Sequence, residues 1–251
     1  MHVTLPTLLL FLAALWAGVQ NALAGGGSFL TLPALMFTGM DARAANITST
    51  VALFPGQVTT GIAGRSLVSG AEALSFKALA AISLVGGAIG GVLLLLTPPK
   101  AFELMVPWLV LFATTAFAWG SFGRRPKAEG AGLSRGASAA MQFGIAIYGG
   151  YFGGGIGFLM LAALTLARLP VRNAGATKNV LAAIMNLSAV LIFLFSGEVR
   201  WVQAAIACGA AIAGGLVGAW ALRRINEKAL RVAVVVIGLV LTIGLFDRAY
   251  L

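Results

Sequence analysis

Ten apolar stretches, separated by short polar segments, make up most of this 251-residue chain. A backbone that lies in lipid must satisfy its N–H and C=O groups internally, which leaves only α-helices and closed β-barrels. Barrel strands alternate polar and apolar residues with a period of two, and these stretches do not alternate. The sequence therefore predicts an all-α polytopic membrane protein.

The stretches form two sets of five on either side of a basic linker. The first set is Leu5–Ala24, Gly27–Met40, Ala44–Gly64, Phe76–Leu96 and Ala101–Gly120. The second set is Gly136–Gly150, Ile156–Leu169, Ala174–Phe195, Val202–Leu222 and Ala229–Leu245. We predict an N-terminal transmembrane repeat over residues 1–120, a cytoplasmic linker over 121–135 and a C-terminal transmembrane repeat over 136–251.

The composition supports a chain that faces lipid. Hydrophobic residues make up 60% and charged residues 10%, whereas soluble domains carry about 25% charged residues. The net charge of +10 would suggest nucleic acid as the partner of a soluble protein. Here the basic residues lie between apolar stretches, where membrane topology signals belong. We expect the lipid bilayer, and no nucleic acid, as a partner.

The two sets of stretches are related in sequence. An offset of 129 residues aligns Gly25–Gln57 with Gly154–Asn186 without a gap, and about 11 of 33 positions are then identical. Among them Arg43 aligns with Arg172 and Thr48 with Thr177. Internal repeats of this size are typical of secondary transporters.

The basic residues indicate how the repeats are oriented. If every stretch crosses the membrane, about 12 lysines and arginines lie on the side of the linker and 4 on the other side. If the two shortest stretches turn back instead, the split is about 8 against 8. Positive charge accumulates on the cytoplasmic side, so we predict five crossings per half, inverted repeats, and both termini outside.

The two shortest stretches, Gly27–Met40 and Ile156–Leu169, occupy matching places and each accompanies a glycine-rich run. Paired short or broken helices indicate a binding site in transporters. A broken helix exposes N–H groups and the positive end of its dipole, which attract an anion. The alternative is that these glycines permit close helix packing. The candidate site residues in these runs are Gly25, Gly26, Gly27, Ser28, Gly153, Gly154, Gly155 and Gly157.

The next stretch of each half carries paired polar residues. Polar groups in membrane helices usually face the protein interior, where they bind a ligand or hydrogen-bond neighbouring helices. Lys178 is the basic residue deepest in an apolar stretch, and it could contact substrate or snorkel to the surface. These candidate substrate-binding residues are Asn46, Thr48, Ser49, Thr177, Lys178, Asn179 and Asn186.

Other motifs are missing from the sequence. There is no GxxxxGK[ST] phosphate loop, no His/Cys/carboxylate cluster for a metal, and no nucleophile–base pair. We therefore expect neither an enzyme nor a cofactor or metal ion. Spaced glycines such as Gly86 and Gly90 fit close helix contacts, either within the subunit or between subunits, so a homodimer is a further expectation.

The paired pattern resembles the sulfite exporter TauE/SafE family along nearly the whole chain. The resemblance lies in Gly25–Leu35 with Arg43–Ser49, and in Gly153–Leu164 with Ala176–Asn179, Asn186 and Ser196–Trp201. It implies a membrane permease, often for sulfite or organosulfur anions. The first half departs from the family pattern at Pro55 and at Ser28, which shortens the glycine run, and these departures leave the substrate open.

Together these features predict a secondary transporter of a small anion, of the sulfite or organosulfur type, that works by alternating access in the cell inner membrane. An anion channel, or a permease for a non-sulfur solute, is the alternative. A channel would also line its path with polar residues.

The charge asymmetry gives a test of topology. A cysteine placed in the 121–135 linker of a variant with Cys208→Ser should resist a membrane-impermeant thiol reagent in intact cells and react after permeabilisation, because the linker is cytoplasmic. A cysteine placed near either terminus should react in intact cells. Labelling of the linker from outside would contradict the five-crossing topology.

Overall fold

The computed structural model of the protein describes residues 5–23, 27–122, 133–221 and 227–251. Most of the predicted linker and the glycines Gly25 and Gly26 lie outside these residues. The described part folds into ten α-helices, which match the ten apolar stretches and confirm the all-α architecture. They are α1 Leu5–Leu23, α2 Ser28–Phe37, α3 Ala42–Ala63, α4 Phe76–Leu96, α5 Pro99–Phe122, α6 Arg135–Tyr151, α7 Ile156–Leu166, α8 Val171–Leu194, α9 Trp201–Ala221 and α10 Glu227–Tyr250.

The lengths of the helices fit a membrane protein. Within the described residues, four helical segments are long and apolar enough to cross a bilayer: Phe76–Leu96, Pro99–Phe122, Val171–Leu194 and Arg231–Tyr250. The helices α2 and α7 have only 10 and 11 residues, or about 15 Å each at 1.5 Å per residue. Each helix by itself is therefore too short to span a hydrocarbon core of about 30 Å, so the crossings predicted for these two stretches also need the residues on either side of the helix.

The distribution of polar and apolar side chains is that of a protein in lipid. Large apolar side chains such as Leu216 and Ile243, each 71% exposed, lie on the outside. Polar side chains such as Asn46, Thr48 and Asn186 are at most 2% exposed and lie inside. Lipid solvates the apolar surface, and the interior provides the hydrogen-bond partners that lipid lacks.

The packing of the helices repeats between the two halves. The first helix of each half packs against the fourth helix of the other half: α1 against α9, and α6 against α4. The helix pairs α3–α8 and α5–α10 each join equivalent helices of the two halves. Glycines allow these contacts, since a side chain at Gly87 or Gly90 would strike the backbone of α8 or α6 and one at Gly214 the backbone of α1. The sequence had left the partners of these glycines open; the structure places them within the subunit.

One end of the helix bundle, which we call the Arg43 face, gathers the start of α3, the end of α4 and the loop between α8 and α9. The Arg43 guanidinium donates to the carbonyl oxygens of Leu95 and Thr97 at 3.2 and 2.9 Å. It also forms an ion pair with Glu198 at 2.5 Å. Arg43 thereby joins the two halves of the chain at this face.

The opposite end, which we call the Glu72 face, gathers the end of α3, the end of α7 and the start of α8. Asn173 donates to the Leu67 carbonyl oxygen at 2.9 Å. The Glu72 N–H donates to the Ala167 carbonyl oxygen at 3.4 Å. Since α3 begins at one face and α8 begins at the other, these two central helices run antiparallel.

The antiparallel helices α3 and α8 meet at a pair of equivalent residues. The Asn186 Nδ2 donates to Gln57 Oε1 at 2.6 Å, and the two residues are 129 positions apart, the offset that aligns the halves. The helices α5 and α10 are also antiparallel, because Tyr250 reaches Leu104 near one end while Arg231 reaches Ser121 near the other.

A disulfide tests the direction of α8 relative to α3. A Cβ atom at Gly64 would lie 3.5 Å from the Ala176 Cβ, within the range of disulfides. In a Cys208→Ser background, Gly64→Cys with Ala176→Cys should cross-link the halves on oxidation, so that cleavage at a protease site placed in the linker leaves one band on a non-reducing gel.

The matched control is Gly64→Cys with Ala189→Cys, which places the second cysteine toward the other end of α8. This pair should separate into two fragments after cleavage. Cross-linking of the control pair but not of the first pair would mean that α3 and α8 run parallel.

Candidate functional site

The helices α2 and α7 each begin directly after a glycine. Gly27 precedes α2 and Gly155 precedes α7, and neither residue provides a side-chain cap. By contrast, α3 begins with a cap from Asp41 and α4 with one from Ser75. A helix without a cap leaves N–H groups of its first turn without a side-chain partner.

Glycine has a specific role before α7. Gly153 and Gly155 have φ angles of +79° and +73°, in the left-handed region that residues with a Cβ rarely adopt. The chain needs this conformation to turn from the end of α6 into the start of α7. The glycine run therefore serves the geometry of the break, and not only close packing.

A cavity of about 60 Å³ lies where α2 and α7 begin. Ser28 and Gly157, which are equivalent under the 129-residue offset, both line it. A water molecule needs roughly 10–15 Å³ of such volume, so the cavity has room for a compact ion of a few heavy atoms. Its lining consists of Asn21, Ser28, Gly56, Gln57, Thr60, Gly153, Ile156, Gly157, Lys178, Asn179 and Ala182.

Lys178 brings a positive charge to the cavity. Its Nζ donates to the Asn179 Oδ1 at 3.0 Å, and it lies 3.5 Å from where a Cβ at Gly157 would be. The ammonium group therefore lies beside the start of α7. In the described part of the chain no carboxylate pairs with Lys178 and no Asp or Glu lines the cavity.

The cavity lies toward the Glu72 face. Gln57 and Asn186 mark the middle of the α3–α8 pair, and the lining residues Thr60, Lys178 and Asn179 are closer to the end of α3 and the start of α8. On the other side of this contact the helices are closed by side-chain hydrogen bonds. There Thr31 bonds to Ser49 at 2.5 Å, and Asn46 donates to the Tyr151 carbonyl oxygen at 3.1 Å.

Five of the residues predicted from sequence line the cavity: Ser28, Gly153, Gly157, Lys178 and Asn179. Asn186 stands next to them through its bond to Gln57. Gly27, Gly154 and Gly155 lie in the turns beside the cavity, where a Cβ would contact Asn21, Phe152 and Ala113 respectively. Gly25 and Gly26 lie outside the described residues.

Thr48 and Thr177 do not lie together at the cavity. The Arg200 N–H donates to Thr48 Oγ1 at 3.2 Å at the Arg43 face. Thr177 Oγ1 accepts from the Ser69 N–H and donates to the Ser69 carbonyl oxygen, each at 3.1 Å, at the Glu72 face. Both threonines lie near the start of their own helix, and antiparallel helices begin at opposite faces. Asn46 and Ser49 are likewise used in contacts between helices.

Sequence reasoning did not assign several lining residues to the site. Gln57 had a signal, since it is the equivalent of Asn186 under the repeat offset. Asn21 had none, because it lies near the end of an otherwise apolar helix and its role depends on the fold of the following turn. Gly56, Thr60, Ile156 and Ala182 are the other lining residues that were not predicted.

Comparisons with known proteins relate this chain to membrane transporters. The model of the family described as "Sulfite exporter TauE/SafE" matches residues 10–245. Similar curated proteins are "Probable membrane transporter protein YfcA" of Escherichia coli, 28% identical over 93% of this chain and 87% of that protein, and a "Probable membrane transporter protein" of Haemophilus influenzae, 26% identical over 93% of this chain and 92% of that protein.

A further relative, a probable membrane transporter protein of Sinorhizobium, is 32% identical over 76% of this chain and 74% of its own length. No solved structure matches the chain. The family match covers both halves, both short helices and the cavity between them, and the chain belongs to the sulfite exporter TauE/SafE family.

Proposed function

We propose that the protein is a secondary transporter that carries a small anion, of the sulfite or organosulfur type, across the cell inner membrane by alternating access. One observation supports an anion above other solutes. The starts of two short helices and the Lys178 ammonium group meet at one cavity that no described carboxylate lines.

Electrostatics favour an anion in this cavity. Each helix start contributes about 0.3–1 kcal/mol of attraction for a negative charge. A lysine in a membrane helix costs up to about 2.5–3.5 kcal/mol on insertion scales, the full cost applying at the helix centre, and a bound anion would offset the part of this cost that applies at Lys178. The family membership and the names of the relatives support transport as the use of the site.

The arrangement of the halves supports alternating access. The helices α3 and α8 are antiparallel, as inverted repeats require, and Gln57 contacts its own equivalent, Asn186. The cavity lies toward the Glu72 face, which the charge asymmetry predicts to be cytoplasmic. At the Arg43 face the ion pair of Arg43 with Glu198 ties the halves together. We interpret this conformation as closed to the outside.

Transport through this cavity is tested by a change at Gly157. A Cβ there meets only the Lys178 Nζ, at 3.5 Å, so Gly157→Val should fold and insert but fill the space beside the ammonium group. In proteoliposomes offered sulfite, thiosulfate and small sulfonates, we expect the parent to take up at least one and the variant to lose at least about 90% of that uptake, a change of roughly 1.4 kcal/mol.

The matched control is Gly144→Val, in α6, where a Cβ meets no atom within 4 Å. It should transport at the parental rate. Equal uptake by Gly157→Val and the parent would place the path elsewhere. Uptake that saturates and is stimulated by anion on the other side indicates a carrier, whereas single-channel currents would indicate the channel alternative.

A second test addresses the conformational change. Removal of the charge of Glu198 leaves Arg43 without its ion-pair partner. If this destabilises the conformation that is closed to the outside by about 1 kcal/mol, the ratio of the open to the closed conformation rises about fivefold. Glu198→Gln should therefore increase the labelling of a cysteine at Thr60 by an impermeant reagent added outside, about fivefold or more, in a Cys208→Ser background.

The control is Glu72→Gln, which removes a carboxylate from the opposite face, where Arg168 lies 3.7 Å away. This change should not increase labelling from outside. If Glu198→Gln and Glu72→Gln label equally, the Arg43–Glu198 pair does not hold the outer side closed.

A further inference from the structure

We propose that the cavity selects oxyanions that carry no proton of their own, and that Asn21, Gln57 and Asn179 set this preference by turning their NH₂ groups toward the ligand. This inference rests on the proposed function, since it concerns the same cavity, and it names the property by which the cavity distinguishes one anion from another.

Asn21 has a fixed orientation because a backbone group holds its oxygen. The Gly27 N–H donates to the Asn21 Oδ1 at 2.8 Å. An N–H group can only donate, so the Asn21 oxygen must face Gly27. The NH₂ group of Asn21 has no partner among the described residues, and Asn21 lines the cavity. Its two N–H donors are therefore available to a ligand.

Asn179 is oriented by the same logic. The Lys178 ammonium group, which has donors and no acceptor, occupies the Asn179 Oδ1 at 3.0 Å. The NH₂ group of Asn179 has no partner in the described part of the chain. Lys178 thus contributes a charge to the cavity and also fixes the direction of the neighbouring amide.

Gln57 completes the set. Its Oε1 accepts from the Asn186 Nδ2 at 2.6 Å, which leaves the Gln57 NH₂ group for the cavity that it lines. Three amides from three different helices, α1, α3 and α8, therefore have their oxygen bonded to protein and their NH₂ group without a described partner.

The remaining polar side chains change this balance little. Thr60 donates its proton to the Gly56 carbonyl oxygen at 2.8 Å, so its oxygen is the acceptor that it retains. Ser28 can rotate its hydroxyl to donate or accept. The side chains that line the cavity offer three NH₂ groups and an ammonium group against two hydroxyl oxygens, and the Asn186 Oδ1 beside Gln57 is one further acceptor without a described partner.

This excess of donors favours a ligand whose oxygens can all accept hydrogen bonds. A fully deprotonated oxyanion meets a donor in most directions. An anion of the same shape and charge that bears an O–H must point that proton at an N–H group, or donate it to one of the two hydroxyl oxygens. A site discriminates strongly against a ligand whose binding leaves a buried polar group unpaired. The structure thus assigns specificity to proton content as well as to charge.

The test uses two anions of matched shape and charge, sulfate and hydrogen phosphate, in a buffer alkaline enough for both to be dianions. In a second buffer, acidic enough to keep one proton on methylphosphonate, methanesulfonate and methylphosphonate form a pair of monoanions. Binding to the purified full-length protein is measured by isothermal titration calorimetry. We expect the proton-free member of each pair to bind at least about tenfold more tightly.

Two variants replace an NH₂ group by an acceptor of the same shape. In Gln57→Glu and in Asn21→Asp the preference should fall several-fold, since the new carboxylate oxygen can accept the proton of hydrogen phosphate. Gln57→Met removes the amide without adding an acceptor and should weaken both members of a pair alike. The control is Gln203→Glu on α9, outside the cavity lining, which should leave the preference unchanged.

The outcomes separate this inference from the function on which it rests. Equal affinity of the parent for both members of each pair overturns the selectivity and leaves anion binding intact. An unchanged preference in both carboxylate variants overturns the roles of Asn21 and Gln57. If no anion of either pair binds and sulfite does not bind either, the proposed function fails together with the inference.

Discussion

The hydrogen bond between Gln57 and Asn186 is the contact around which the rest of the structure is arranged. It joins two equivalent residues of the two halves inside a region that lipid surrounds, where amides find few other partners. Such bonds contribute only about 0.6 kcal/mol on average and up to 1–2. Their larger effect is geometric, because this bond fixes the register of α3 against α8. The starts of α2 and α7 then meet beside it, and the cavity forms between them.

The charges in the protein are separated by function. Arg43 and Glu198 neutralise each other where the halves meet at one face. Lys178 lies beside the cavity without a described carboxylate. A cation with a protein partner stabilises one arrangement of helices, whereas a cation without one stabilises a complex with an anion. The equivalent of Arg43 in the second half is Arg172, which is exposed and has no described ion pair, so the same charge is paired in one repeat and unpaired among the described residues in the other.

Much of the fold could be predicted from sequence, because hydrophobic length and the backbone requirement in lipid leave few choices. The ten helices and the shortness of α2 and α7 follow from apolar runs and glycine positions, whereas the position of the Lys178 side chain was left open. The location of Thr48 and Thr177 did not follow. Both were candidate substrate-binding residues, but equivalent residues near the starts of antiparallel helices lie at opposite ends. Asn21 could not be predicted either, since its orientation depends on a backbone N–H in the next turn. A sequence repeat identifies equivalent positions. Two equivalent residues on antiparallel helices are in contact only if they lie close to the point where the helices cross.

The two threonines have a consequence for motion. Each central helix holds, near its own start, the loop that joins the other central helix to its successor: Thr48 binds the Arg200 N–H, and Thr177 binds Ser69. The helices α3 and α8 are thus linked near both ends, and between these links they contact each other at Gln57 and Asn186. If one helix tilts about this contact in the plane of the pair, the gap between the helices widens at one end and narrows at the other. Under the proposed alternating access, such a tilt would couple the two faces mechanically, so that opening one face closes the other.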